Sequence, residues 1–405
     1  MKIAVISVLL ASGYAVAAPF DQATTDKART LVAQLASPQY RVRERAATEL
    51  LRLGRGAVVA LTEGKKHPDP EVWMRCEQLL PQARALDLEH RIDVFLKDAD
   101  LKGTHDLPLW NVYAKAIGTT PADRALYVEM LRVSGHLLEA IDDEPDRVTE
   151  RIRLRIQELY MDVFGNPNMA WRGEMPAAKY QPAEIAALMF AMTRPAFKPT
   201  QPDWYLSSVY ANGGPFVEKL KNEKEGAAYR KVFFHHVGER PDENTVNQVV
   251  WMLSQHRIPG SAELFVKVLE GKSTMQVYTK AQVIAGLGTV GTRDHCKVIE
   301  PFLKDTTQVQ PFFAGRGGQQ GEVRLGDIAL AVTIHLHGKN PKDFGFIQWR
   351  TYPGQMIPYH MLGFTDEEAR KASFKKWADD PKTPDAKKDG PKSEPKKQAP
   401  KEMKK

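Results

Sequence analysis

The sequence predicts an all-α fold, with stacked helix pairs at both ends and an irregular helical middle region. Two spaced repeats and one absence predict it. Near the N-terminus, Pro38, Val42, Arg45, Ala46 and Leu50 recur thirty positions later as Pro68, Val72, Arg75, Cys76 and Leu80. Nearer the C-terminus, Leu264, Phe265, Val268 and Leu269 recur 34 positions later as Val298, Ile299, Phe302 and Leu303. Alternating apolar and polar runs, the mark of a half-buried strand, are nearly absent, so no sheet is expected.

The elements follow in chain order. Residues 1–17 read as a cleavable signal peptide. Lys2 is the basic start, Ile3 to Val16 is almost wholly apolar, and Ala15-Val16-Ala17 is a small-x-small cleavage site that leaves Ala18-Pro19 in front. Residues 18–86 hold the first helix pairs. Val42, Ala46 and Leu50 are spaced i, i+4, i+8 on one stripe, as are Val72, Cys76 and Leu80. Each repeat proline is expected to end one helix and start the next. A helix from Arg55 to Lys66 lies between them. A pair this short cannot bury its stripe alone, so it must stack on a neighbour.

Residues 87–240 depart from the repeat but stay helical. Thr120-Pro121-Ala122-Asp123 is an N-cap, a proline at the first helical position and an early acid. Ile152, Ile156, Leu159, Tyr160 and Val163 form a stripe that ends at Gly165. A further helix spans Pro182 to Met192, and loops are expected at 166–180 and 194–203, which are rich in proline and aromatic residues. Residues 241–380 resume the helix pairs. Thr245 to Leu253 is helical, and a helix carrying Val277, Ala281 and Ile284 is expected to stop at Gly288 and Gly291. A glycine- and glutamine-rich loop, 314–321, leads into a helix from Leu325 to His337. The last helix opens with a capping box of Thr365 and Glu368, with Phe364 placed to staple onto Ala369. Residues 381–405 are rich in lysine and proline, carry no apolar stripe, and are expected to be disordered.

Three segments, SPQYRVRERAATELLRLG, HPDPEVWMRCEQLL and AQVIAGLGTVGTRDHCKVIEPFLKD, resemble the HEAT-like repeats of exported bacterial proteins. With the helices between them they cover under a third of the chain. The resemblance implies a short α-solenoid of HEAT-like helix pairs with a concave protein-binding face. It implies no enzymatic activity.

The formal charge of +7 invites a nucleic-acid reading. Residues 381–405, however, hold nine lysines against four acids, and Lys2 leaves with the signal peptide. The body is then nearly neutral, without the basic footprint that nucleic acid demands. No later stretch reaches ~18 uninterrupted apolar residues, so no transmembrane segment is expected in the mature chain. Cys76 and Cys296 each fall inside a helical pattern and read as buried core residues.

Several motifs approach a chemistry and stop short. Asp98-Ala-Asp100-Leu-Lys102-Gly103-Thr-His105-Asp106 imitates a calcium loop, but Lys102 takes the fifth position and Leu109 stands where the bidentate acid belongs. His105-Asp106, with His90 upstream, is similar to the His-Asp pair of helical metal phosphohydrolases, yet nothing completes the ligand set. His235 with His236, and His335 with His337, point to different helix sides. His337, just before Gly338, suits a helix C-terminus, and His295 beside Cys296 suits a helix start. Gly315 to Gly321 lacks the preceding strand and the Gly-Lys-Ser/Thr ending of a phosphate cradle. Trp110, Trp171, Trp204, Tyr205, Tyr210, Trp349, Tyr352 and Tyr359 read as gap fillers ahead of interface anchors. No catalytic, cofactor-binding or metal-binding residue is assigned.

The expected function is an exported scaffold or protein-interaction module of the cell envelope, periplasmic or extracellular. Its expected partner is another envelope or secreted protein. The lysine-rich tail can add weak, salt-sensitive attraction to anionic polymers or membrane surfaces. The rival expectation is a helical metal-dependent or glycan-acting hydrolase, with its site around His105, Asp106 and His136.

Overall fold

The computed structural model describes residues 22–164, 180–198, 204–211, 214–239, 243–271, 275–313, 320–352 and 354–380. The residues expected to form a signal peptide (1–17) and a disordered tail (381–405), together with Trp171 and glycines 315, 317 and 318, lie outside these residues.

Four helices open the described chain: α1 (Gln22–Gln34), α2 (Tyr40–Leu53), α3 (Arg55–Gly64) and α4 (Pro70–Lys97). α1 packs on α2 and α3, and α4 packs on α2 and α3. Their stripes close a core that runs from Ala28 to Ala83. Gly64 permits the close approach, since a Cβ there would meet the Cys76 sulfur at 2.5 Å. Each of the two repeat helices starts two residues beyond its repeat proline, α2 at Tyr40 and α4 at Pro70. In the second copy Asp69 is the N-cap, accepting from the Glu71 N–H at 2.9 Å, and Pro70 rather than Pro68 takes the first helical position. α4 runs through Pro81 and past residue 86 without a break. The buried core nevertheless divides there, because the next cluster begins at Leu88.

The body continues with α5 (Trp110–Ala116), α6 (Pro121–Asp143), α7 (Val148–Phe164), α8 (Pro182–Met192), α9 (Trp204–Ala211), α10 (Pro215–Lys221) and α11 (Ala227–Glu239). Then come α12 (Glu243–His256), α13 (Ser261–Glu270), α14 (Val277–Val290), α15 (Cys296–Ile299), α16 (Leu325–Leu336) and α17 (Glu367–Asp379). Contacts form two successions: α6, α8, α11 and α13 each touch the next, and so do α7, α9, α12, α14 and α16. The Thr120 cap is a full capping box, its hydroxyl taking the Asp123 N–H while the Asp123 carboxylate takes the Thr120 N–H at 3.1 Å. Asp123 is wholly buried, and Lys231 reaches both its oxygens at 2.8 Å, which ties α6 to α11.

The described residues are mostly helical, but four expectations need correction. First, a sheet exists. β1 (Gln308–Phe313) pairs antiparallel with β2 (Gln320–Arg324), and Phe364 bridges to Glu322. Gly321 belongs to that strand rather than to a connector, because a Cβ there would lie 2.0 Å from the Phe364 carbonyl oxygen. Second, the repeat copy at 298–303 is not one helix. α15 has four residues and gives way to a 3-10 segment at Glu300–Lys304, where Pro301 has no N–H to continue the ladder. Third, α14 passes through Gly288, whose missing side chain lets Val332 and Ile357 approach; a Cβ would meet Ile357 at 2.6 Å. Fourth, Asp366 caps α17, accepting from the Ala369 N–H at 2.8 Å. Thr365 only donates to Asp366, and Phe364 lies under the Arg370 guanidinium. Arg370 donates to Asp327 at 2.9 Å, to Glu367 at 2.8 Å and to the Glu322 carbonyl at 3.2 Å, which fastens α17 to α16 and β2. No helix among the described residues is long and apolar enough to cross a membrane.

Candidate functional site between α4 and α6

α4 meets α6 where the two cores adjoin. Leu88 seats on Gly135, where a Cβ would come within 2.4 Å of the leucine methyl. Ser134, the residue before it, has φ −130° and ψ 20°, so α6 kinks at this contact. Beside it lies a cavity of about 430 Å³ lined by Pro81, Arg84, His136 and Glu139 among others. A second cavity of about 250 Å³, lined by Arg55, Asp87, Arg91, Asp106 and Asp142, shares Arg84, Glu139 and Asp143 with the first. Together they make one charged trough.

Arg91 organises the smaller end. It donates to Asp87 at 2.7 Å and to the backbone carbonyl of Asp106 at 2.6 Å, and it pairs with Glu139. Arg55 pairs with the Asp106 carboxylate. At the larger end Arg151 pairs with Glu144 at 2.7 Å and Arg132 with Glu89 at 3.5 Å. Cations and carboxylates thus neutralise one another along the trough. Arg84, Asp142 and Asp143 have no ion pair among the described residues, and partial desolvation pushes the Asp142 carboxyl above the usual range, which the Leu109 N–H at 3.3 Å offsets only in part.

The histidines and acids named from the sequence have separate surroundings. His105 places Nε2 3.0 Å from Asp98, with its ring edge-on to Phe95 at 5.0 Å between centroids. Asp98 also accepts from the N–H groups of Gly103 and Lys102 at 2.7 and 3.1 Å. The Gly103 bond, chiefly, holds the Asp98 carboxyl below its ordinary range. Asp98 therefore closes its own loop. Asp106 lines the smaller cavity, His136 is exposed and lines the larger, and His90 is exposed on α4. Among the described residues no group of three or more His, Cys, Asp or Glu side chains could hold a metal ion.

The remaining motifs have local partners. His235 lies 3.9 Å from Glu239 while its neighbour His236 is buried. His335 packs on Trp349 at 5.1 Å, and burial holds it below the ordinary histidine range. His337 bonds the Thr333 carbonyl at 2.8 Å at the end of α16 and lies 3.7 Å from the Cys296 sulfur. His295 accepts from the Thr292 N–H at 2.9 Å at the turn that leads into α15. Cys76 and Cys296 are buried free thiols. Trp110, Tyr210, Trp349 and Tyr359 are buried, Tyr205 is half-buried against Tyr160, and Tyr352 is exposed. Trp204 opens α9.

A further cavity, about 440 Å³, was not foreseen from the sequence. Ser208 and Ala211 of α9, Asn247, Gln248 and Trp251 of α12, and Gln282 of α14 line it. A signal was present in α12. Its Val246, Val249, Val250, Met252 and Leu253 are buried, while 247, 248 and 251 are two amides and a tryptophan on the remaining side. Uncharged amides add nothing to the charge pattern of the sequence.

No protein-family model matches this chain, and no curated protein or solved structure matches it either.

Proposed function

We propose that the chain is an exported α-solenoid interaction module that binds another protein of the cell envelope or its surroundings. The observation that carries this reading is the double succession of helices, each touching the one two or three steps on, from α6 to α13 and from α7 to α16. Stacked helix pairs bury a continuous core in this way, and their extended surfaces serve binding. The thirty-residue stripe shared by α2 and α4 supports the same reading at the other end. The trough between α4 and α6 offers a partner a polar surface on which Arg55, Arg91, Arg132 and Arg151 are each paired with a carboxylate. The charges there are largely committed to each other. Export rests on the signal-peptide pattern of residues 1–17, and the lysine-rich tail adds salt-sensitive attraction to anionic surfaces.

The test has two arms. The full chain is expressed in a two-membrane bacterium, fractionated and sequenced from its N-terminus. A chain beginning at Ala18 outside the cytosol is expected, and an intact Met1 in the cytosol overturns export. Purified mature protein, with and without residues after Asp380, is then cross-linked in an envelope extract. One identified partner, displaced by excess unlabelled protein, is expected; no such partner overturns the binding role.

A further inference from the structure

We propose that the cavity between α9, α12 and α14 is a binding site for a neutral saccharide. Trp251 stands four positions after Asn247 and three after Gln248, so it neighbours both on the surface of α12. Gln282 of α14 and Ser208 of α9 complete the lining. A volume of about 440 Å³ falls inside the range of roughly 300–1,000 Å³ usual for small-molecule sites. The site is separate from the α4–α6 trough and does not depend on export.

Two observations point to a ligand. The first is a set of orphan acceptors. Asn247 Oδ1, Gln248 Oε1 and Gln282 Oε1 are shielded from solvent and have no hydrogen-bond partner among the described residues. The Gln282 amide is held in place, because its Nε2 donates to the Tyr359 hydroxyl at 3.2 Å. Buried polar atoms are nearly always paired, so three orphans around one cavity need an explanation. A ligand rich in O–H donors supplies one. The second observation is Trp251, which is 45% exposed in a helix whose aliphatic side chains Val246, Val249, Val250, Met252 and Leu253 are buried. Its indole offers a flat apolar face beside the amides.

Charge selects among the ligands that could donate. None of the six described lining residues is ionisable. An ionic ligand would shed its hydration here without a counter-charge. A saccharide hydroxyl is neutral and both donates and accepts, so it suits an amide at either end. The C–H face of the ring covers the indole. A peptide backbone brings one N–H per residue spread along a chain, whereas a sugar ring gathers several O–H donors within one cavity. The same sugar chemistry can come from a free oligosaccharide or from a glycan polymer.

The experiment uses the full mature chain and separates those sources. Tryptophan fluorescence is followed during titration with cellobiose, maltose and N,N′-diacetylchitobiose to about 10 mM, which registers millimolar affinity. Retention on insoluble cellulose, chitin and peptidoglycan is measured in parallel. Saturable quenching by a disaccharide, or retention on a polymer, is expected, and it should be unchanged by salt because a neutral saccharide carries no charge to screen. Disaccharide binding assigns a free sugar; retention alone assigns a glycan chain. Gln248→Leu and Trp251→Ala should each weaken binding about tenfold or more, with unaltered thermal melts. Gln248→Met, which keeps the length and removes the acceptor, provides a third variant if either fails to fold, and it should show the same loss. No response to any probe overturns the proposal, as does binding that survives the folded variants. A response to acetylated, amidated penta-alanine in place of the sugars also overturns it.

Discussion

The N-terminal four helices and the body are held together by different means. The N-terminal core has 13 buried residues, of which five are alanine and none is aromatic. The body packs ring on ring, with Phe95, Trp110, Tyr113 and Tyr127 in one cluster and Tyr210, Phe216 and Phe233 in another. Ion pairs divide the same way. Arg29–Glu63 and Arg75–Glu44 lie at the surface of the N-terminal unit. Lys231–Asp123, Arg155–Glu184 and Arg370–Asp327 each bury at least the carboxylate. Small side chains let helices approach at one repeated spacing, so one stripe serves twice. A ring or a buried charge fits one place only, so the body keeps helix order while its sequence loses the period.

The strongest attempt to break this contrast targets the buried charges. Arg370→Met strands Asp327, whose side chain is 1% exposed, and should destabilise the body by about 3–5 kcal/mol in denaturant unfolding. Adding Asp327→Leu should restore much of the loss. Arg75→Met, in a pair whose side chains are 22% and 45% exposed, should change stability by no more than about 1 kcal/mol. Equal losses would erase the difference between the regions.

A second, smaller effect sharpens the border. Gly135→Ala drives a methyl group into Leu88 and should cost about 1–3 kcal/mol. Amide hydrogen exchange should then quicken in α1 to α3 and stay constant in α11 to α16. A uniform change would make the two regions one cooperative unit.

The smallest effect concerns the loop that follows α4. The Asp98 carboxyl titrates below its ordinary value of about 3.9 because the Gly103 N–H, above all, stabilises its charge. Its stabilising contribution is therefore complete above the unfolded value and is lost as pH falls through the folded one. Asp98→Asn should melt below the parent at neutral pH, and the two curves should converge in acid. A deficit that stays constant with pH would refute this account.

Much of the helical order was legible because its causes are local. Thr120, Pro121 and Asp123 satisfy the first turn of α6 among themselves, and the α7 stripe needs only its own spacing. The errors arose where distant residues decide. β1 and β2 are short and contain Pro311 and Gly321, and only Phe312 and Val323 are buried in them. Thr365 and Asp366 are both competent caps, and Arg370, fastened to Asp327, belongs to the helix that starts after the second. The trough was approached through Asp106 and His136. Arg91 and Glu139, 48 positions apart, meet there through tertiary packing alone. The amide cavity likewise gathers residues from 208 to 282, a set that no local spacing announces.

α4 has a mechanical consequence. At 28 residues it is a lever roughly 42 Å long. Leu88 on Gly135 is its fulcrum, and the N-terminal helices ride on its free arm. Pro81 removes the backbone bond to the Glu77 carbonyl, so the arm flexes most easily there. A bend of about 10° at Pro81 moves the tip at Pro70 by about 3 Å, given the helical rise. Pro81 also lines the trough. Whatever wedges into that trough therefore has a ready gauge, the tilt of the whole N-terminal unit.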